Sequence, residues 1–497
     1  MLPSQLKLKE KYSLFIDGKW KDAGNGKTIE ATCPANGEHL AVFADATRED
    51  VDEAAKAARK AFKKWGKTTT KERAVILEKV ADAIDEHREE LAYIESCDNG
   101  KPIRETLNVD VPLAAEHFRY FAGVIRSEEG AANILNGQFL SIILREPIGV
   151  VGQIVPWNFP FLMAAWKLAP VLAAGDCTVF KPSSTTSLSV LRLAEILQDI
   201  IPAGVFNVIT GSGSRSGNYM LENTEFDKLA FTGSTAIGID VSVAAAKRLI
   251  PSTLELGGKS ANIIFDDCNM EQALDGVQLG ILFNQGQVCC AGSRIFVQET
   301  IYDRFVDELV RRFEKVKVGL PWNADTQMGS QINEGQLSDI LKYVEIGVGE
   351  GGKILCGGKR ITEGELGKGA FMRPTLISDV SNKCRIAQEE IFGPVGAVIK
   401  FKDEEEVVSM ANDSIYGLGG AVFSSNITRA INVARSVETG RMWVNTYNQI
   451  AEGSPFGGYK QSGIGRETHK LVLSHYTQCK NIMINLSNEP SGLYPAK

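Results

Sequence analysis

The feature that most restricts this chain is a rhythm that begins at Ile148. Short apolar runs over 149–155, 178–180, 206–209, 228–231 and 253–256 alternate with helical patterns over 162–174, 187–200, 216–221 and 236–248. Such runs, separated by helix-length crossovers, predict parallel strands, because a parallel neighbour cannot be reached by a tight turn. The expected product is a parallel sheet covered by helices on both faces, a Rossmann-like α/β layering of the nucleotide-binding kind. Such a fold hosts many activities and assigns none. A second α/β series follows, with strands expected over 262–265, 295–297, 397–401 and 442–444 and helices over 274–283, 302–316, 334–350 and 404–411. It lacks a glycine-rich phosphate turn of its own, so catalysis is assigned to it.

A chain of 497 residues outgrows one core, so two or three domains are expected. Residues 13–46 alternate apolar runs with turn signals, as a β-hairpin arm would. Thr47-Arg48-Glu49-Asp50 reads as a helix start, and Val51, Ala54, Ala55, Ala58, Phe62 and Trp65 follow at helical spacing. A second long helix is expected over 71–97, stopped by Asn99-Gly100, and a third over 107–125. The tail from Leu471 alternates weakly and reads as an edge strand.

The net charge of −7 argues against nucleic acid as a partner. The N-terminal stretch has no apolar secretory core, so a cytoplasmic location is expected. Residues 148–175 are apolar, but Gln153, Asn158, Lys167 and several prolines interrupt them, which rules out a membrane span there. Nine cysteines occur without a C-x-x-C pair, a pattern that fits neither a disulfide framework nor a metal site.

Two stretches carry chemistry. Asn284-Gln285-Gly286-Gln287-Val288-Cys289-Cys290-Ala291-Gly292-Ser293-Arg294 sets adjacent thiols in a turn between a helical run and a strand. Leu254-Glu255-Leu256-Gly257-Gly258-Lys259 sets a carboxylate between leucines at a strand end. None of the five histidines lies near either, which disfavours a Cys-His hydrolase. Phe231-Thr232-Gly233-Ser234 stands where a strand becomes a helix and reads equally as a phosphate-binding turn or a plain N-cap. Asn158, between Pro156 and Pro160, reads as an oxyanion donor or as a buried amide satisfying its own turn.

Taken together, Leu-Glu-Leu-Gly-Gly-Lys and Gln-Gly-Gln-Val-Cys-Cys-Ala-Gly-Ser-Arg resemble the active-site signatures of the NAD(P)-dependent aldehyde dehydrogenase superfamily. The resemblance is collinear from about residue 13 to 485 and includes Pro455-Phe456-Gly457-Gly458-Tyr459-Lys460. Residues 116–123 and 467–476 are most similar to the bacterial acetaldehyde (aliphatic aldehyde) branch. The implied catalytic set is Cys289 as nucleophile, Asn158 with the Cys289 amide as oxyanion hole, and Glu255 as base for hydrolysis. The implied cofactor contacts are Ile154, Pro156, Trp157, Lys181, Gly233, Ser234, Glu390 and Phe392. Lys167 and Glu467 resemble the family's proton-exit pair, with a surface or helix-end salt bridge as the plain alternative. By position, Phe159, Met163, Trp166, Cys290 and Ile450 are the aldehyde-pocket candidates, mostly apolar and with no evident site for a charged substrate tail.

The resemblance implies a cofactor unit over 1–123 and 147–257, a catalytic unit over 258–469, and an oligomerisation segment from 124–146 and 470–497 that forms a homodimer or homotetramer. One departure bears on the cofactor: NAD-preferring members carry a glutamate three positions after Lys181, where this chain has Ser184. A hydroxyl there, with Arg215 on the next turn, leads to the expectation that NADP is accepted as well as NAD. The rival activities are a CoA-acylating aldehyde dehydrogenase, disfavoured by Glu255, oxidation of a larger aromatic or amino aldehyde, and a non-catalytic scaffold.

Overall fold

The computed structural model describes residues 3–494, so the outermost residues of the two expected terminal segments lie outside the described residues. An eight-stranded sheet runs in the order Gly463–Ile464, Ser252–Glu255, Lys228–Thr232, Val150–Ile154, Cys177–Lys181, Phe206–Val208, Leu14–Ile16, Lys19–Lys21. Its five central strands are parallel, as the alternation required. The chain moves outward in one direction from Val150–Ile154, then returns to the other side of that strand at Lys228–Thr232. A reversal of this kind opens a crevice at the carboxyl ends of the two strands.

A second, seven-stranded sheet has the order Lys353–Cys356, Thr375–Ser378, Val395–Phe401, Arg294–Gln298, Ala261–Ile264, Gly419–Phe423, Arg441–Val444. The strands at Lys353–Cys356, Thr375–Ser378 and Gly419–Phe423, and the helix Ile427–Ser436, had no counterpart in the periodicity. Gly419–Phe423 is wholly buried, so it lacks the polar alternation that marks a half-buried strand. A third sheet pairs Thr477–Asn485 with Phe139–Pro147 and that strand with Ala131–Leu135. The tail strand is indeed an edge, and Ile134, Ile482, Met483 and Ile484 remain exposed on this sheet.

Three local expectations change. The single arm over 13–46 is two hairpins: Leu14–Ile16 with Lys19–Lys21 extends the eight-stranded sheet, and Thr28–Thr32 with His39–Ala44 belongs to a separate small one. Asp17 and Gly18 turn the first hairpin with φ of 49° and 73°, the left-handed pair that matches strand twist. The long second helix is two, Thr70–Glu86 and Arg88–Asn99, because His87 leaves helical geometry and its ring bonds Glu90 at 2.9 Å. The third begins with a π-helical turn, Thr106–Asp110, before Val111–Ser127. The helix from Arg48 to Trp65 follows Thr47 as read, with a reciprocal Thr47–Asp50 capping box.

Candidate active site

The helix Met270–Leu282 aims the chain at the crevice and then stops abruptly. Asn284, Gln285 and Gly286 follow with φ of 45°, 56° and 72°. Two consecutive non-glycine residues in the left-handed region are costly and persist only where neighbours over-determine them. Here the Asn284 amide N–H donates to Glu105 at 2.9 Å, its side chain donates to the Asn158 carbonyl at 2.7 Å, and Gln285 donates to the Ser330 carbonyl at 3.1 Å. Gly286 is required for another reason: a Cβ there would lie 2.3 Å from the Gly393 backbone.

This braced turn delivers Cys289 into a cavity of about 560 Å³ between the two large sheets. Cys289 is half-buried and Cys290 is fully buried. The Cys290 thiol is directed to the Asn448 side-chain oxygen at 3.7 Å, and the Cys290 carbonyl accepts from the Tyr447 hydroxyl at 2.8 Å. Both cysteines touch the cavity, but only Cys289 has solvent access. The Asn158 side chain donates to the Gln287 carbonyl at 2.9 Å, which holds its amide against the cysteine turn. Glu255 enters the same cavity from the end of its strand, 4% exposed and with Oε2 unpartnered among the described residues.

The electrostatics favour proton-bound resting forms. The Cys290 thiol alongside, burial, and the Glu390 and Glu255 carboxyls hold the Cys289 thiol well above its ordinary pKa. Burial and the Glu467 carboxylate push Glu255 well above the usual carboxylate range, against Lys167 and Arg466, which pull it down. Lys167 and Glu467 form an ion pair at 2.5 Å with both side chains 1% exposed, which removes the surface salt-bridge alternative.

Toward the eight-stranded sheet, Ile154 and Lys181 sit in register at adjacent strand ends. Pro156, Trp157, Gly233 and Ser234 line the same cavity. Ser234 is the N-cap of the helix Thr235–Ala246, accepting from the Ile237 N–H at 3.5 Å. Glu390 accepts from the Gly258 N–H at 3.1 Å, and burial raises it to about 7. Phe392 meets Trp157 edge-on at 5.2 Å. Lys181 is buried, its amine bonded to the Pro182 carbonyl at 3.2 Å, and burial lowers it to about 8. Ser184 is half-buried three residues on. Arg215 does not stand free as the sequence suggested: its guanidinium is ion-paired with the buried carboxylate of Asp45. That partner lies far upstream in the chain, where no local pattern links it to Arg215.

Phe159, Met163, Trp166, Cys290 and Ile450 all line the cavity, as expected from position. Phe283 and Phe456 join them, Phe283 stacked on Phe159 at 5.9 Å and Phe456 against Trp166 at 5.2 Å. Two carboxylates that sequence reasoning missed, Asp110 and Glu452, also reach the wall. Asp110 is bound by Lys101 at 2.6 Å, whereas Glu452 has no ion pair among the described residues. A π-helical turn at Thr106–Asp110 has no hydrophobic signature, so nothing local pointed to Asp110.

A parallel-sheet crevice thus faces a braced thiol, an amide donor and a buried carboxyl. The aldehyde dehydrogenase family model matches residues 20–482, and the chain belongs to that family. It is 47% identical to aldehyde dehydrogenase B of Escherichia coli strain K12 over 98% of this chain and 96% of that one. Betaine aldehyde dehydrogenase from Staphylococcus aureus, solved with NAD+, superposes with a TM-score of 0.96 at 40% identity, covering 99% of this chain and 98% of that one. The NAD+ complex of an aldehyde dehydrogenase from Bacillus cereus gives 0.94 at 42%, covering 97% and 100%. The protein is thus an oxidoreductase that oxidises an aldehyde. No helix among the described residues is long and apolar enough to cross a membrane.

Proposed function

We propose that the protein converts a short aliphatic aldehyde to its carboxylic acid, with Cys289 as nucleophile, Asn158 as oxyanion donor and Glu255 as the base for hydrolysis. The convergence of these three side chains on one cavity, from separate parts of the chain, carries the reading. NAD or NADP is the cofactor, supported by the two NAD+-bound relatives and by the donor set along the crevice. The N-terminus of the helix after Ser234 suits a pyrophosphate, the buried Lys181 amine and Ser184 suit the adenosine ribose, and the Glu390 carboxylate suits the nicotinamide ribose. When bound, the nicotinamide ring supplies the hydride acceptor.

The chain's own residues do the rest. The Cys289 thiol, raised chiefly by the Cys290 thiol and by burial, must lose its proton before its sulfur adds to the aldehyde carbon. The Asn158 amide and the Cys289 N–H donate to the oxygen that becomes negative. Loss of hydride from carbon leaves a thioester on Cys289. Glu255 then takes a proton from water as its oxygen adds to the thioester carbon, and collapse frees the carboxylic acid and the Cys289 thiolate. Lys167 and Glu467 accept the proton that Glu255 has taken up.

Apolar walls at Phe159, Met163, Trp166 and Ile450 favour an uncharged aliphatic group. A second reading, a cationic amino aldehyde, draws on Glu452 and on the betaine aldehyde relative. The Lys101 ammonium offsets Asp110, so of the two further carboxylates on this wall Glu452 is the one free to attract such a tail. Comparing kcat/KM for acetaldehyde, benzaldehyde and betaine aldehyde, with and without Glu452→Gln, separates the readings: a cationic preference lost in the variant supports the second.

The three larger sheets support a division into a cofactor unit (1–123 and 147–257), a catalytic unit (258–469) and an assembly segment (124–146 and 470–497). The apolar residues exposed on the third sheet support a homodimer or homotetramer, for which a cytoplasmic location is proposed. A monomer at micromolar concentration in light scattering overturns the assembly. For the chemistry, Glu255→Gln should retain a pre-steady-state burst of reduced cofactor while losing turnover; equal loss of both moves Glu255 to activation of the thiol.

A further inference from the structure

The sheet face that carries Glu255 also carries a buried lysine with no role in the chemistry above. In register, Thr232 pairs with Glu255, Ala230 with Thr253 and Gln153, and Lys228 with Val151. Paired residues in a parallel ladder share a face and alternate residues return to it, so Lys228, Thr232, Thr253, Glu255 and Gln153 look the same way. The helix Pro160–Ala174 and the tail cover this face: Gln153 donates to the Lys167 carbonyl at 2.9 Å and to the Tyr476 hydroxyl at 3.4 Å.

The layer between is polar where a core would be apolar. Lys228 Nζ, Thr232 Oγ1, Thr253 Oγ1, Glu255 Oε2 and Glu467 Oε2 are buried without a hydrogen-bond partner among the described residues. Lys228 is 0% exposed, forms no ion pair among the described residues, and lies 5.1 Å from the Tyr476 ring centre. An unpaired ammonium is among the least favourable groups to bury, and a layer of unpartnered polar atoms on the sheet face that carries Glu255 suits proton traffic better than packing.

We propose that Lys228 is a proton carrier, extending the route from Glu255 beyond the Lys167–Glu467 pair to His475, which is half-buried at the end of the turn Lys470–His475. The electrostatic links follow that order. Glu467 and Lys167 act on Glu255, Glu467, Lys167 and Asp176 act on Lys228, and Lys228 and Arg466 act on His475. Burial lowers the Lys228 amine to about 7, opposed by Glu467 and Asp176 and assisted by Lys167, so the amine both accepts and releases protons near neutrality. Each turnover leaves on Glu255 the proton taken from the hydrolytic water. Glu255 passes it to Glu467; Lys167 gives a proton to the neutral Lys228 amine and is refilled from Glu467; Lys228 then gives one to the His475 imidazole, which exchanges with solvent. Only protons move, and each carrier returns to its starting state.

The inference rests on Glu255 being the base for water, and the experiment separates the two. The acyl-enzyme formed from acetaldehyde and cofactor is followed in a single turnover by rapid quench and mass spectrometry. In Lys228→Met it should form at the unmodified rate and decay on the order of tenfold more slowly. In Lys228→Ala, methylamine and ethylamine should restore decay, amines of graded basicity doing so in the order of their pKa. Decay at the unmodified rate in folded Lys228→Met, or equal rescue by ethanol, overturns the relay. Glu255→Gln should arrest decay with no amine rescue; normal decay there overturns the base assignment itself. Should both Lys228 variants fail to fold, His475→Gln carries the same test: slowed decay restored by imidazole supports the relay, and unaltered decay overturns it.

Discussion

The Asn158 side chain donates to the carbonyl of Gln287 across 2.9 Å, joining the crevice loop of the eight-stranded sheet to the turn that presents Cys289. The Asn284 side chain returns the link by donating to the Asn158 carbonyl at 2.7 Å. The proposed nucleophile and oxyanion donor are therefore fixed relative to each other before a substrate arrives, which is what electrostatic preorganisation requires.

Removing that donor should be costly in the transition state and mild in binding. Asn158→Ala is expected to lower kcat by roughly 10²–10³, with a much smaller change in KM. A loss confined to KM would reduce Asn158 to a structural amide.

Cys289→Ala should abolish aldehyde oxidation, whereas Cys290→Ala should keep most of it, since Cys290 is turned to Asn448 and closed off from solvent. Removing the Cys290 thiol also removes the largest influence raising Cys289, so the alkylation rate of Cys289 by iodoacetamide should increase at neutral pH in that variant. Faster loss of activity in Cys290→Ala than in Cys289→Ala would reverse the assignment.

The hydrolytic step should rise with pH. Glu255 accepts a proton only when ionised, and its pKa is raised, so the competent fraction grows as pH climbs through that raised value and then levels off. Glu467 raises it and Lys167 lowers it, so Glu467→Gln should move the rise to lower pH and Lys167→Met to higher pH. Single-turnover decay of the acyl-enzyme across pH 5–10 reads this directly; shifts of the opposite signs would contradict the electrostatic account.

Cofactor choice is expected to turn on Ser184 and on the pairing of Arg215 with Asp45. Ser184→Glu should weaken NADP use by on the order of tenfold, ~1.4 kcal/mol, with little loss for NAD, because a carboxylate repels a 2′-phosphate. Asp45→Asn frees Arg215 and should strengthen NADP use relative to NAD. Comparison of kcat/KM for both cofactors in each variant checks the pair of effects, and strict NAD use by the unmodified protein would refute the expectation.

Sequence alone determined the parallel layering after Ile148, since strand-length and helix-length runs in alternation admit few other folds. It also determined the capped helix after Thr47, and the family resemblance of its short motifs singled out Cys289, Glu255 and Asn158 as the expected catalytic set. Tertiary structure decided what depends on residues far apart in the chain. Burial turned Lys167–Glu467 from a possible surface bridge into an interior pair, and Asp45 took up Arg215. The break at His87 and the π-helical turn that brings Asp110 to the cavity were likewise not foreseeable. Local periodicity records which way a side chain faces along one element; which charge meets it there, and whether water reaches the pair, is set by how separate elements pack.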